Sequence, residues 1–94
     1  MDDWPFADPE NVSTITVRQI VHDGHPILLV SPDGDDGMWQ FLTDGPVEVA
    51  EAMVVSLREV YRIDPSIGEL SDLPMGWWAE RSGVGQPWRR QCDH

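Results

Sequence analysis

Lysine is missing from this chain altogether, and its six arginines face seventeen acidic residues, leaving a net charge of −11. That imbalance argues against direct binding to nucleic acid or an anionic membrane, because the favourable term in both is neutralisation of phosphate by basic side chains. It suits a basic protein partner, whose encounter an acidic field accelerates. Cysteine is nearly absent. The single Cys92 has no second cysteine in the chain to pair with, so nothing asks for an oxidising compartment. No apolar run approaches the length of a membrane span, and residues 1–5 carry acid where a signal peptide needs base, so the expected location is the cytoplasm.

What is present is enough for one domain. A chain of 94 residues buries about 60 to 70% of the surface its unfolded form exposes. Hydrophobic residues make up 40% of it, with five tryptophans among them. The stretch that organises the chain is residues 26–42, PILLVSPDGDDGMWQFL, two apolar runs around a Pro, Asp and Gly cluster, which predicts a β-hairpin. Side chains alternate along a strand, so Ile27 and Leu29 fall on one face and Leu28 and Val30 on the other, an arm apolar on both sides. In the second arm Trp39 and Phe41 share a face and predict the floor of the core. The tip between the arms carries three carboxylates, Asp33, Asp35 and Asp36.

Residues 1–11, with two prolines, four acids and Trp4, read as an extended arm able to dock Trp4 or Phe6 on the body. Residues 12–90 form the domain, and 91–94 a polar tail. Thr16 followed three residues later by Gln19 has the pattern of a capping box and predicts a helix over 17–23 that Gly24 ends. Residues 47–51 suggest a helical turn and 53–55 a strand. Ser56 and Glu59 repeat the capping box ahead of Leu57, Val60 and Tyr61, predicting a helix to about Ile63. Asp64-Pro65 restarts the helical path, since Asp caps well and Pro suits a first helical position. Residues 76–81 read as a last strand, with Trp77 and Ala79 on one face and Trp78 and Glu80 on the other.

Taken together, Pro26-Ile27-Leu28 with Ser31-Pro32-Asp33, Trp39-Gln40-Phe41-Leu42, Val54-Val55-Ser56-Leu57, Asp72-Leu73-Pro74 with Gly76-Trp77, and Trp88-Arg89-Arg90 resemble a group of small, uncharacterised bacterial proteins. That group is similar to the immunity-type domains that accompany secreted bacterial toxins, and the resemblance spans residues 12–90. Its motifs are turn residues and aromatics, which bear on fold rather than on activity. It brings no catalytic residues with it.

The sites that chemistry suggests mostly fail on spacing. Read as an EF-hand loop from Asp33, the hairpin tip puts Gly37 at the fifth position, Met38 at the sixth and Asp44 at the last, so a solvated turn is the better reading. His22 and His25 lack the further ligands that zinc needs. Ser82-Gly83-Val84-Gly85 has no Lys in phosphate-loop register and reads as a turn. Glu80 beside Trp77 and Trp78 admits a general-acid reading, against the plainer one of an exposed acid on an edge strand. No catalytic residue, metal or cofactor is therefore assigned. The tryptophans are the least ordinary feature. Trp77 and Trp78 cannot both face one core, and an exposed Trp78 beside Arg81, Arg89 and Arg90 has the composition of a binding hot spot, unless Trp4 or Trp88 covers it.

The expected fold is α+β: a small antiparallel sheet of about three or four strands around the central hairpin, with two short helices packed on one face. The expected function is binding of a basic protein, immunity-like and non-catalytic, through Trp78, Arg81 and the acidic tip Asp33, Asp35 and Asp36. Two other classes stay open: a ligand-binding domain or enzyme with a pocket between sheet and helices, and a structural homodimer.

Overall fold

A computed structural model describes residues 4–32, 38–43 and 48–92. The class is α+β, as expected, but the sheet is larger and mixed. Six strands run β1 (Ser13–Val17), β2 (Leu29–Pro32), β3 (Trp39–Leu42), β4 (Ala52–Ser56), β5 (Trp77–Glu80) and β6 (Arg89–Cys92). They are ordered β4-β1-β3-β2-β5-β6, so the β2–β3 hairpin lies at the centre. All neighbours are antiparallel except β1 and β3, which are parallel with Ile15 opposite Gln40. The strands beyond those expected are β1, over Ser13–Val17, and β6, whose Gln91 and Cys92 pair with Trp78 and Trp77.

The helical layer also departs from expectation. Instead of two capped helices on one face, α1 (Arg18–Val21) is a single turn whose N-cap Val17 offers no side-chain cap. Thr16 does not cap it. Its buried hydroxyl donates to the Phe41 carbonyl at 2.7 Å, joining the parallel strands β1 and β3. Burial inside the sheet thus overrides a local capping pattern. The second box forms as written: α2 (Leu57–Ile63) starts with the Glu59 amide donating to Ser56 Oγ at 3.2 Å. Asp64 then ends α2 and caps a 3₁₀ helix (Pro65–Leu70), its carboxylate accepting from the Ser66 amide at 3.0 Å. A further 3₁₀ turn occupies Val49–Glu51.

The core lies on one side of the sheet. Val30, Trp39, Phe41 and Ala79 project from the strands and meet Leu57 and Val60 of α2, Ile67 and Leu70 of the 3₁₀ helix, and Phe6 of the arm. Trp39 and Phe41 do share that face, stacked with centroids 6.0 Å apart. Ile27 is buried in the core cluster while Leu29 turns to the other face, so the two do not share a side as expected, because the regular strand with its alternation begins only at Leu29. The arm is ordered from Trp4: Phe6 packs edge-on to Trp39, and Trp4 lies against Phe6 and Tyr61, its indole N–H donating to the Asp8 carbonyl at 2.7 Å.

Candidate protein-binding surface

The two sides of β5 set the geometry. Trp77 packs on the core and Ala79 is fully buried, while Trp78 and Glu80 project the other way. The register places Leu29 beside Glu80, Gln40 beside Ser31 and Ile15 beside Val54, and its continuation sets Ser31 beside Trp78. A second face therefore forms from Ile15, Leu29, Ser31, Gln40, Trp78 and Glu80, each half-buried, with Val54 67% exposed at its margin. The five tryptophans divide unevenly between the sides. Trp39 is in the core, Trp4, Trp77 and Trp88 pack against it, and Trp78 stands outside it. Neither Trp4 nor Trp88 covers Trp78, since Trp4 sits on Phe6 and Tyr61 and Trp88 on Arg81.

Arg81 does not join Trp78. Three residues further along an extended chain it faces the core side, and its side chain is only 2% exposed. There Nε donates to the Ile27 carbonyl at 2.9 Å, Nη1 to Ser66 Oγ at 3.1 Å, and Nη2 to Asp64 Oδ2 at 2.6 Å. The guanidinium lies over the Trp88 ring, 4.2 Å from its centroid. The Ser66 hydroxyl in turn donates to Asp64 Oδ1 at 2.6 Å. Burial pulls the Asp64 carboxyl upward, but the Ser66 hydroxyl and amide and the Arg81 guanidinium outweigh it and hold the group below its ordinary value. This cluster borders a cleft of 450 Å³ that also touches Glu69, Gln86 and Trp88. Its Ser, Asp and Arg groups are already paired with one another, so the arrangement clamps the 3₁₀ helix and the start of β2 to the end of β5.

The other sequence candidates disperse. Asp33, Asp35 and Asp36 lie outside the described residues. Glu80 is not on an edge strand, because β5 pairs with both β2 and β6. It is half-buried, accepts from Gln91 Nε2 at 2.7 Å and lies 3.7 Å from Arg89. Arg90 reaches the opposite side, pairing with Asp72 at 2.8 Å and donating to the Glu69 carbonyl at 2.7 Å. Among the described residues no group of three or more His, Cys, Asp or Glu side chains could hold a metal, and no helix is long and apolar enough to cross a membrane. Sequence reasoning missed the Arg81–Asp64–Ser66–Trp88 cluster. Its one local signal was Asp64 as a cap, and nothing in spacing joins residues 17 apart across the layer.

Compared with known proteins, the chain matches no family model, no curated protein and no solved structure.

Proposed function

We propose that this chain is a non-catalytic binding domain that holds a basic protein against the second face of its sheet, with Trp78 as the anchor. The observation that carries the reading is the division of the tryptophans: four belong to the core side, and Trp78 is set on the opposite face, opposite Gln91 and Ser31 in register and diagonal to Leu29. A partly exposed Trp on an open sheet face is the residue type that dominates binding energy at protein interfaces. Charge supports a basic partner. Four of the six arginines are held in ion pairs, Arg62 with Glu59, Arg81 with Asp64, Arg89 with Glu80 and Arg90 with Asp72. Asp8, Glu10, Asp23, Glu48, Glu51 and Glu69 carry no ion pair among the described residues, so the unbalanced surface charge is negative. The resemblance to immunity-type domains fits this reading, in which occupying a toxin's surface is the whole activity and Arg81 serves from behind the face rather than on it.

The test is capture from native host lysate with tagged wild-type and Trp78→Ala chains at low and moderate salt, bound proteins being identified by mass spectrometry. One stoichiometric basic protein, retained by the wild type at low salt and lost both with Trp78→Ala and with rising salt, is expected. A partner held equally by the variant would remove Trp78 from the interface. No partner at either salt would overturn the reading.

A further inference from the structure

The two edges of the sheet are built differently. β6 exposes Arg89, Arg90 and Gln91, the charged edge that discourages strand addition. β4, Ala-Met-Val-Val-Ser, has no charge and no proline, with Ala52 exposed and Val54 67% exposed. Its backbone orientation follows from one bond. The Leu57 amide donates to the Val12 carbonyl at 2.9 Å, and the ladder continues without a bulge from Ser13↔Ser56 to Val17↔Ala52. Antiparallel pairs alternate between hydrogen-bonded and not, so 14/55 and 16/53 are the bonded pairs. The N–H and C=O groups of Ala52 and Val54 therefore point away from β1, where no described strand lies beside them.

We infer that β4 pairs with β4 of a second copy, antiparallel, around a two-fold axis through Val54. This inference is independent of the partner proposed above. The strand suits self-pairing because Val54 is its middle residue: the axis sets Val54 opposite Val54 and Ala52 opposite Ser56, so outward groups meet outward groups on both chains. Charge fits the same register. Glu51 falls opposite Leu57 of the second copy and next to its Arg58, and Glu51 and Arg58 have no ion pair among the described residues. The pairing joins two six-stranded sheets into one of twelve and leaves Trp78 far from the seam.

An edge of five residues buries little area, and two chains of net charge −11 repel, so the dimer is weak and is measured at moderate salt. Sedimentation equilibrium up to about 1 mM, the affinity range of such small interfaces, should show a monomer–dimer equilibrium. Val54→Lys should weaken it by about tenfold or more, since it sets like charges directly opposite on an edge. Circular dichroism checks that this exposed position leaves the fold intact. In a Cys92→Ser background, Val54→Cys should oxidise to a covalent dimer about tenfold or more faster than the loop control Val84→Cys, because pairing holds the thiols at high effective concentration. The expected Cα separation of about 5.5 Å for a bonded antiparallel pair lies within disulfide range. A chain monomeric at every concentration, a Val54→Lys variant that dimerises as well as wild type, or Val54→Cys oxidising no faster than Val84→Cys would each overturn the inference.

Discussion

The two faces of this sheet do different work with similar material. On the covered face the three buried polar residues, Thr14, Thr16 and Arg81, each hold a defined partner: the Val55 carbonyl, the Phe41 carbonyl, and the Ile27, Ser66 and Asp64 set. Aromatic and aliphatic side chains fill the space between them. The second face mixes Ile15, Leu29 and Trp78 with Ser31, Gln40 and Glu80, none in the core cluster. The difference teaches where stability sits and which face the proposed binding would use. Buried groups that depend on one another resist change, whereas half-buried groups on an open face alter binding with little effect on folding.

The largest test of that division compares two aromatics. Phe41 is fully buried between Trp39 and the helical layer, so Phe41→Ala should destabilise the domain by about 3 to 5 kcal/mol through lost burial and a cavity. Trp78→Ala, on the other face, should cost clearly less, about 1 to 2 kcal/mol, because part of the ring stays exposed in the folded chain. Equal losses in urea unfolding would mean that the second face is part of the core, and the division would fail.

The Arg81 clamp gives the next effect. Removing one member of a buried ion pair leaves the other charge without compensation, and Asp64→Ala should cost about 3 kcal/mol, the lower end of the range because the Asp64 side chain is 20% exposed. The pH dependence has a defined sign. Asp64 titrates lower in the folded chain than its ordinary value of 3.8, so its contribution is present above that pH and is lost as pH falls through the depressed value. Acid unfolding followed by tryptophan fluorescence should show a steeper loss of stability below about pH 4 in the wild type than in Asp64→Asn. Parallel profiles for the two proteins would remove Asp64 as a source of acid sensitivity.

Local signals in the sequence were reliable where the structure is local. Ser56 with Glu59, Asp64 with Pro65, the Trp39 and Phe41 face, and the opposed Trp77 and Trp78 can all be read from neighbours in the chain. Non-local pairing decided the rest. Thr16 with Gln19 carries the same capping pattern as Ser56 with Glu59, yet a carbonyl 25 residues away on β3 takes its hydroxyl. The parallel pairing of β1 with β3, and the recruitment of Arg89 to Cys92 as a strand, depend on contacts that no spacing encodes. For the site, Trp78 was legible from alternation along one strand. Arg81 was misplaced because its composition suits an exposed hot spot, and only the Asp64 carboxylate and the Ile27 carbonyl, supplied by the fold, make burial of a guanidinium tolerable.

The smallest effect concerns how the N-terminal arm holds to the covered face. Gly68 leaves a gap that the arm fills: a Cβ there would stand 3.1 Å from Pro5 Cγ and 3.1 Å from Tyr61 Cε1. Those contacts are tighter than side chains ordinarily make, and of the two neighbours the proline belongs to a segment anchored mainly by Trp4 and Phe6. Gly68→Ala should therefore displace residues 4–6 rather than α2, costing about 1 kcal/mol, with Trp4 losing its edge contact to Tyr61 while Trp78 is unaffected. Indole N–H resonances report this directly, because the Trp4 N–H is hydrogen-bonded to the Asp8 carbonyl and should exchange faster in the variant. A change at Trp78 of the same size would show that the two faces communicate through the sheet. An unchanged Trp4 would show that α2 yields instead of the arm.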